Sequence, residues 1–285
     1  MRLGIRHRTG YRFDRPVFLE PHVIRLRPRV DGSQWLLASA LDIDPPPAVR
    51  ADNLDLEGNA VTEVWFEGET DHLLIESRST LDTLRTDPFL FLFDGTSDVL
   101  PYSYPADWEH RLSAYRTAAD QVAPTVRALA QAAAVDAGQR RDRFLWALTE
   151  RIHRECTVEY RADGPPRDSA ETLALRSGAC RDLAVLFIES CRSVGLAARF
   201  VSGYAHVDGA AEQEFHAWAE AYLPGGGWRG YDPTLGLAVA DRHVAVAAAA
   251  EPADAAAVSG TYRGSAVATL ENVVDIMAIA SDGAT

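Results

Sequence analysis

Residues 177–195 read Ser177-Gly-Ala-Cys-Arg-Asp-Leu-Ala-Val-Leu-Phe-Ile-Glu-Ser-Cys-Arg-Ser-Val-Gly195, and this stretch decides the fold. Cys180, Ala184, Phe187, Cys191 and Val194 fall on one stripe at helical spacing. Leu183, Leu186 and Ile188 widen that apolar surface, which predicts a helix beginning at or near Cys180 and buried in a core. Gly195 closes it, as a glycine just past a helix end often does. Three strands are predicted downstream, over 198–206, 215–223 and 228–232, with Gly225-Gly-Gly227 as the tight connection between the last two. A buried helix followed by an antiparallel sheet marks an α+β domain.

Upstream, helices are predicted over 124–135, with Pro124 at a first turn, and over 140–153, where Phe144, Leu145, Leu148 and Ile152 share a face. Pro101-Tyr-Ser-Tyr-Pro105 reads as a linker. Before it, short apolar stretches alternate at period two between turn signals such as Asp31-Gly32, Pro45-Pro-Pro47 and Gly58-Asn59. They predict an N-terminal β-sandwich-like domain or open barrel of roughly seven strands. The expected domains are therefore 1–95 and 96–285. Residues 244–258, rich in alanine, read as either loop or helix, and 262–279 as one or two further strands.

The chain has 285 residues, of which 47% are hydrophobic and 24% charged, the balance of an ordinary folded protein. Its net charge is 28 − 41 = −13, which argues against nucleic acid or an anionic membrane as the partner. Every basic residue in the chain is arginine. Without lysine there is no phosphate-binding Walker A loop and no Schiff-base chemistry. The chain also supplies no lysine amine as an acceptor in its own cross-linking. The three cysteines, Cys156, Cys180 and Cys191, form no CxxC pair, a usage that fits a reducing compartment. The first residues lack the apolar core of a signal peptide, and no apolar run reaches the ~18 residues of a membrane span. The expectation is a cytoplasmic protein. No nucleotide site, metal pattern or other cofactor motif is present in the sequence.

Chemistry is predicted where nucleophile, base and orienting carboxylate can meet. Cys180 opens the buried helix, where the partial positive charge of a helix N-terminus favours thiolate over thiol. Cys191 and Cys156 read instead as core packing. In Glu214-Phe-His-Ala-Trp-Ala-Glu-Ala-Tyr222, the residues His216, Trp218, Glu220 and Tyr222 share one strand face, and three alanines share the other. The small side allows another layer to pack closely. The glycine turn sets His216 opposite residues around 232 to 234, so Asp232 can accept the second imidazole N–H. Asp182 reads as a helix cap or a partner of Arg181 or Arg199. His243 reads as an exposed or core histidine rather than part of the cleft.

These residues carry a resemblance. Gly178-Ala-Cys-Arg-Asp182, Ala197-Ala-Arg-Phe-Val-Ser-Gly-Tyr204, His216-Ala-Trp-Ala-Glu220 and Tyr231-Asp-Pro-Thr234 resemble the core of the bacterial transglutaminase-like superfamily. Its members are commonly described as candidate cysteine proteases. His7-Arg-Thr-Gly-Tyr11, Pro16-Val17, Arg25-Leu-Arg-Pro-Arg29 and Gly58-Asn59 resemble that family's accessory N-terminal β domain. Ala179 departs from the larger aliphatic residue expected there. The resemblance implies a papain-like catalytic domain and the roles of a Cys-His-Asp triad for Cys180, His216 and Asp232. The expected activity is thiol-dependent hydrolysis of a peptide or protein amide through an acyl-thioester, with no cofactor. Acyl transfer to an amine and a catalytically silent binding scaffold are the alternatives. The backbone N–H of Cys180 and the hydroxyl of Tyr160 are candidate oxyanion donors, although Tyr160 also reads as core packing. Trp218, with Glu220 and Tyr222, is a candidate to line the cleft and contact substrate, simple packing being the other reading.

Overall fold

The computed structural model describes residues 1–92, 98–209 and 213–280. Six strands open the chain: β1 (Arg2–Leu19), β2 (His22–Ile24), β3 (Gln34–Asp44), β4 (Val49–Leu54), β5 (Ala60–Trp65) and β6 (Glu69–Thr83). Along β1, Leu3, Ile5, His7 and Thr9 turn inward and their neighbours outward, the period of a strand with one buried face. β1, β6 and β3 lie side by side in one sheet, and β2, β5 and β4 in a second. Val17, Leu19, Ile24, Val64, Leu73 and Ile75 close the two sheets on one another. This is the expected sandwich.

The helical part of the chain follows, with α1 (Ala106–Arg111), α2 (Pro124–Asp136), α3 (Arg141–Glu155), β7 (Thr157–Val158), α4 (Ser169–Leu175), β8 (Ser177–Gly178) and α5 (Cys180–Ser193). α1 and α4 went unforeseen because six or seven residues are too few to display a helical period. Beyond α5 come β9 (Ala198–Ala205), β10 (Phe215–Leu223), β11 (Gly227–Asp232), β12 (Leu237–Ala238) and β13 (His243–Ala249), an antiparallel sheet in the order β12-β11-β10-β9-β13. α5 packs on β9 and β10. Leu183, Ala184 and Phe187 share one core with Ala217, Ala219 and Ala221, so the methyl-sized face of β10 is the one that admits the helix. Leu183, Leu186 and Phe187 are fully buried, each worth about 1.5–3 kcal/mol. Gly195 ends the helix at φ +87°, where a Cβ would lie 2.1 Å from the carbonyl oxygen of Tyr102.

Two expectations are corrected here. Residues 244–258 are neither helix nor plain loop: β13 pairs antiparallel with β9, and only Pro252–Ala255 forms a short 3-10 turn. The outer edge of β13 is met by side-chain amides from the sandwich. Gln34 accepts from the Ala245 N–H at 2.9 Å and donates to its carbonyl at 2.8 Å. Asn59 does the same for Ala248 at 2.9 and 3.0 Å. Alanine has little strand preference of its own, so this strand depends on partners distant in sequence.

The division into 1–95 and 96–285 also gives way. β14 (Val258–Ser259) pairs with β2, β15 (Tyr262–Arg263) with the end of β1, and β16 (Ala268–Ile279) runs antiparallel along β1 from Arg2↔Ile279 to Phe13↔Ala268. The last strands thus belong to the N-terminal sheets, because β1 and β2 offer edges that need partners. Residue 95 itself lies outside the described residues. Leu3, Ile5, Leu81, Val274 and Ile276 of the sandwich pack with Tyr204, Val244 and Val246 of the second sheet, binding the two layers into one body.

Candidate active site

Cys180 is the first residue of α5 and is half-buried. What holds it there is Asp182, wholly buried, whose Oδ2 accepts the Ala179 N–H at 2.9 Å. Its Oδ1 accepts from the Arg167 N–H and the Arg161 guanidinium, both at 2.8 Å. Asp182 therefore caps the helix, as anticipated, but its ion-pair partner is Arg161; Arg199 pairs with Glu220 instead, at 2.7 Å. Arg181 donates to the carbonyls of Arg161 and Asp163. These bonds lace residues 159–167 to the start of α5. Gly178 is needed here: a Cβ would lie 2.9 Å from the Asp182 Cβ and 3.1 Å from Thr172 Cγ2.

His216 stands at the start of β10, and its Nε2 lies 2.7 Å from Oδ2 of the buried Asp232. The ladder pairs Ala219 with Tyr231, so Asp232 sits diagonally across from His216 as the turn spacing implied. Asp232 Oδ1 accepts the N–H groups of Thr234 and Leu235 at 2.9 and 3.1 Å, which orients the carboxylate. Burial acts to lower the pKa of His216, yet the charge and hydrogen bond of Asp232, together with those of Cys180, raise it to about 10. Burial acts to raise that of Asp232, and the charges and hydrogen bonds of His216 and His243 hold it well below the carboxylate range. Cys180, His216 and Asp232 are thus brought together. With Nε2 committed to Asp232, the ring has Nδ1 left for the thiol.

A second imidazole shares the carboxylate. His243, buried at the start of β13, places Nε2 3.0 Å from the same Asp232 Oδ2. The ligand atoms of His216, Asp232 and His243 lie within 4.8 Å of one another. Spacings of 2.7 and 3.0 Å are those of hydrogen bonds; donors sharing a tetrahedral ion would sit roughly 3.3 Å apart.

Cys180 and His216 open into a cavity of about 1220 Å³. Residues 158–166 form one wall, and Arg6, His7, Thr9 and Tyr11 of β1 with residues 272–277 of β16 form another. His7, which hydrogen-bonds the Tyr204 hydroxyl at 3.0 Å, is driven by burial down to about 4 and is therefore neutral near pH 7.

The chain matches two family descriptions. The bacterial transglutaminase-like N-terminal region covers residues 3–82, and the core of the transglutaminase-like superfamily covers residues 127–233. The chain belongs to the transglutaminase-like superfamily. Relatives of this transglutaminase-like chain include an uncharacterized protein of Mycobacterium leprae, 26% identical over 291 residues that cover 98% of this chain and 99% of the other. Another, from Mycobacterium tuberculosis, is 28% identical over 297 residues, covering 99% and 94%. In structure, the chain is similar to a candidate cysteine protease from Cytophaga hutchinsonii. The TM-score is 0.70 at 22% identity, covering 99% of this chain and 92% of that one, so the whole two-layer fold is shared.

Within this transglutaminase-like site, two sequence readings change. Trp218 does not touch the cavity: it is 1% exposed, packs with Val201 and Ala248, and meets the His243 ring edge-on at 5.2 Å. On its face of the sheet the ring lies with Val201 of β9 and Ala248 of β13, the next two strands, which the sequence reading did not foresee. Tyr160 is not core packing; it is 73% exposed and lines the same cavity as Cys180. His243 is a core histidine, one of the alternatives read for it; what sequence reasoning missed is its bond to Asp232. Its only signal was its position after Asp241-Arg242, at the start of a strand that local sequence did not declare.

Proposed function

We propose that the chain is a thiol-dependent hydrolase that cleaves a peptide or protein amide through an acyl-thioester on Cys180. The observation that carries this reading is a large cavity holding Cys180 and His216 together, with the Asp232 carboxylate buried behind the ring. In the first half-reaction the Cys180 sulfur bonds to the amide carbon, and the C–N bond breaks as His216 protonates the leaving amine. In the second, His216 takes a proton from water, the oxygen bonds to the acyl carbon, and sulfur leaves. Asp232 keeps the imidazole in one orientation and stabilises its charged form throughout.

The developing oxyanion needs donors. The Cys180 N–H at the head of α5 is one. Tyr160 is the second: the Glu159 N–H donates to the Gly178 carbonyl at 3.0 Å, which ties this segment to the head of α5, and Tyr160 lines the same cavity as Cys180. A cavity above the ~300–1,000 Å³ of small-molecule pockets suits a peptide segment better than a metabolite. An amine in place of water would give transfer, with the acceptor supplied from outside because the chain has no lysine.

The test is covalent capture by a thiol-directed peptide electrophile, followed by mass spectrometry of products with and without added amine. Cys180→Ala should abolish capture, and free carboxylate should dominate the products. Labelling that survives Cys180→Ala overturns the assignment, and an amide product would make the chain a transferase.

A further inference from the structure

His243 lies outside the residues matched by the superfamily core, which end at 233, yet it reaches into the centre of the site. The acceptors of Asp232 can be counted. Oδ1 takes the Thr234 and Leu235 N–H groups, and Oδ2 takes Nε2 of both His216 and His243. A carboxylate offers about four lone-pair sites, so this one is complete. An ionised carboxylate only accepts, which requires both rings to carry a proton on Nε2. A wholly buried anion short of one donor would be strongly disfavoured.

We propose that His243 is a positioning residue of this site: its Nε2–H, donated to Asp232, keeps the carboxylate ionised and fixed, and through it holds His216 with Nδ1 toward Cys180. The inference rests on the hydrolase reading. The ionisable groups facing His243 are Asp232 from β11 and His216 from β10, with Cys180 of α5 beyond. β10 adds the Trp218 ring. β9 sets Ala205 opposite His243 and carries Tyr204, whose hydroxyl is taken by His7. Nδ1 of His243 is buried without a hydrogen-bond partner among the described residues, so its Nε2 bond to Asp232 is the one polar tie seen for this ring.

The consequence concerns acid. Without the second donor, Asp232 takes up a proton at higher pH and then no longer supports a charged His216. Alkylation of Cys180 by iodoacetamide, followed against pH on the full chain, reads this directly. His243→Leu should react about tenfold more slowly than wild type at mildly acidic pH, and His243→Gln, which keeps an N–H near the Nε2 position, should recover most of the rate. An unchanged profile in folded His243→Leu overturns the proposal. So does an equal loss in the Leu and Gln variants, or a wild-type profile that shifts with EDTA, which would put a metal there. If the variants fail to fold, ¹⁵N NMR of wild type decides: a proton on Nδ1 and none on Nε2 of His243 refutes it. The hydrolase reading fails separately, if wild-type Cys180 alkylates no faster than a free thiol.

Discussion

Asn59 of the N-terminal sandwich holds both backbone groups of Ala248 in β13, accepting its N–H at 2.9 Å and donating to its carbonyl at 3.0 Å. A side-chain amide here does what a neighbouring strand would do. Asp55 completes the amide by accepting its other N–H at 3.0 Å, and Arg29 also donates to its oxygen. Through β13, this contact bears on His243 and therefore on Asp232.

Asn59→Ala should leave two buried backbone groups of Ala248 without partners. The expected cost is about 1–3 kcal/mol in chemical denaturation, with the loss concentrated in β13. Hydrogen exchange should show the Ala248 amide unprotected in the variant; protection equal to wild type would mean that the clasp contributes nothing.

The His216–Asp232 pair should show in the pH dependence of stability. His216 has an ordinary value of 6.5 and about 10 in place, so its contribution is full below pH 6.5 and is lost as pH rises toward 10. Asp232 lies well below its ordinary 3.8, so its contribution is present above that value and lost as pH falls. The stability difference between wild type and Asp232→Asn should therefore be greatest between pH 3.8 and 6.5 and shrink toward pH 10. A difference constant across that range would show that no ion pair is at work.

The three free cysteines should separate by reactivity. Burial pushes the Cys191 thiol well up and also raises that of Cys156. Native protein at neutral pH should thus take one equivalent of label quickly, on Cys180, and the other two only after unfolding. Rapid labelling of Cys191 in the native state would contradict its burial in the core of α5.

Gly178→Ala tests the entry to α5. The added methyl meets the Asp182 Cβ and Thr172 Cγ2, and Asp182 is the residue that caps the helix. A loss of about 1–3 kcal/mol is expected, together with slower alkylation of Cys180 as the first turn shifts. Full stability with full reactivity would show that the turn relaxes freely.

Much of the site was legible because it rests on short-range rules. Cys180 at a helix start follows from the stripe it shares with Phe187 and Cys191, and the approach of His216 to Asp232 follows from a glycine turn between two strands. Asp182 as the cap of α5 follows from its place in the first turn. Trp218 was misjudged because alternation along β10 tells which residues share a face, not what covers it; β9 and β13 bury that ring. Tyr160 was misjudged for the opposite reason: β7 is two residues long and carries no pattern from which exposure can be read.

By itself, the amino-acid order determined the helix–turn–strand grammar of the part that follows the sandwich, the alternation of the first sheet, and the reach of one histidine to one aspartate. Each of these is a local periodicity, visible within a dozen or so residues. Only the tertiary structure decided that the alanine-rich stretch is a strand, that the chain's end returns to β1, and that His243 meets Asp232. Those outcomes depend on backbone groups and buried charge finding partners across the molecule, and local sequence does not encode who those partners are.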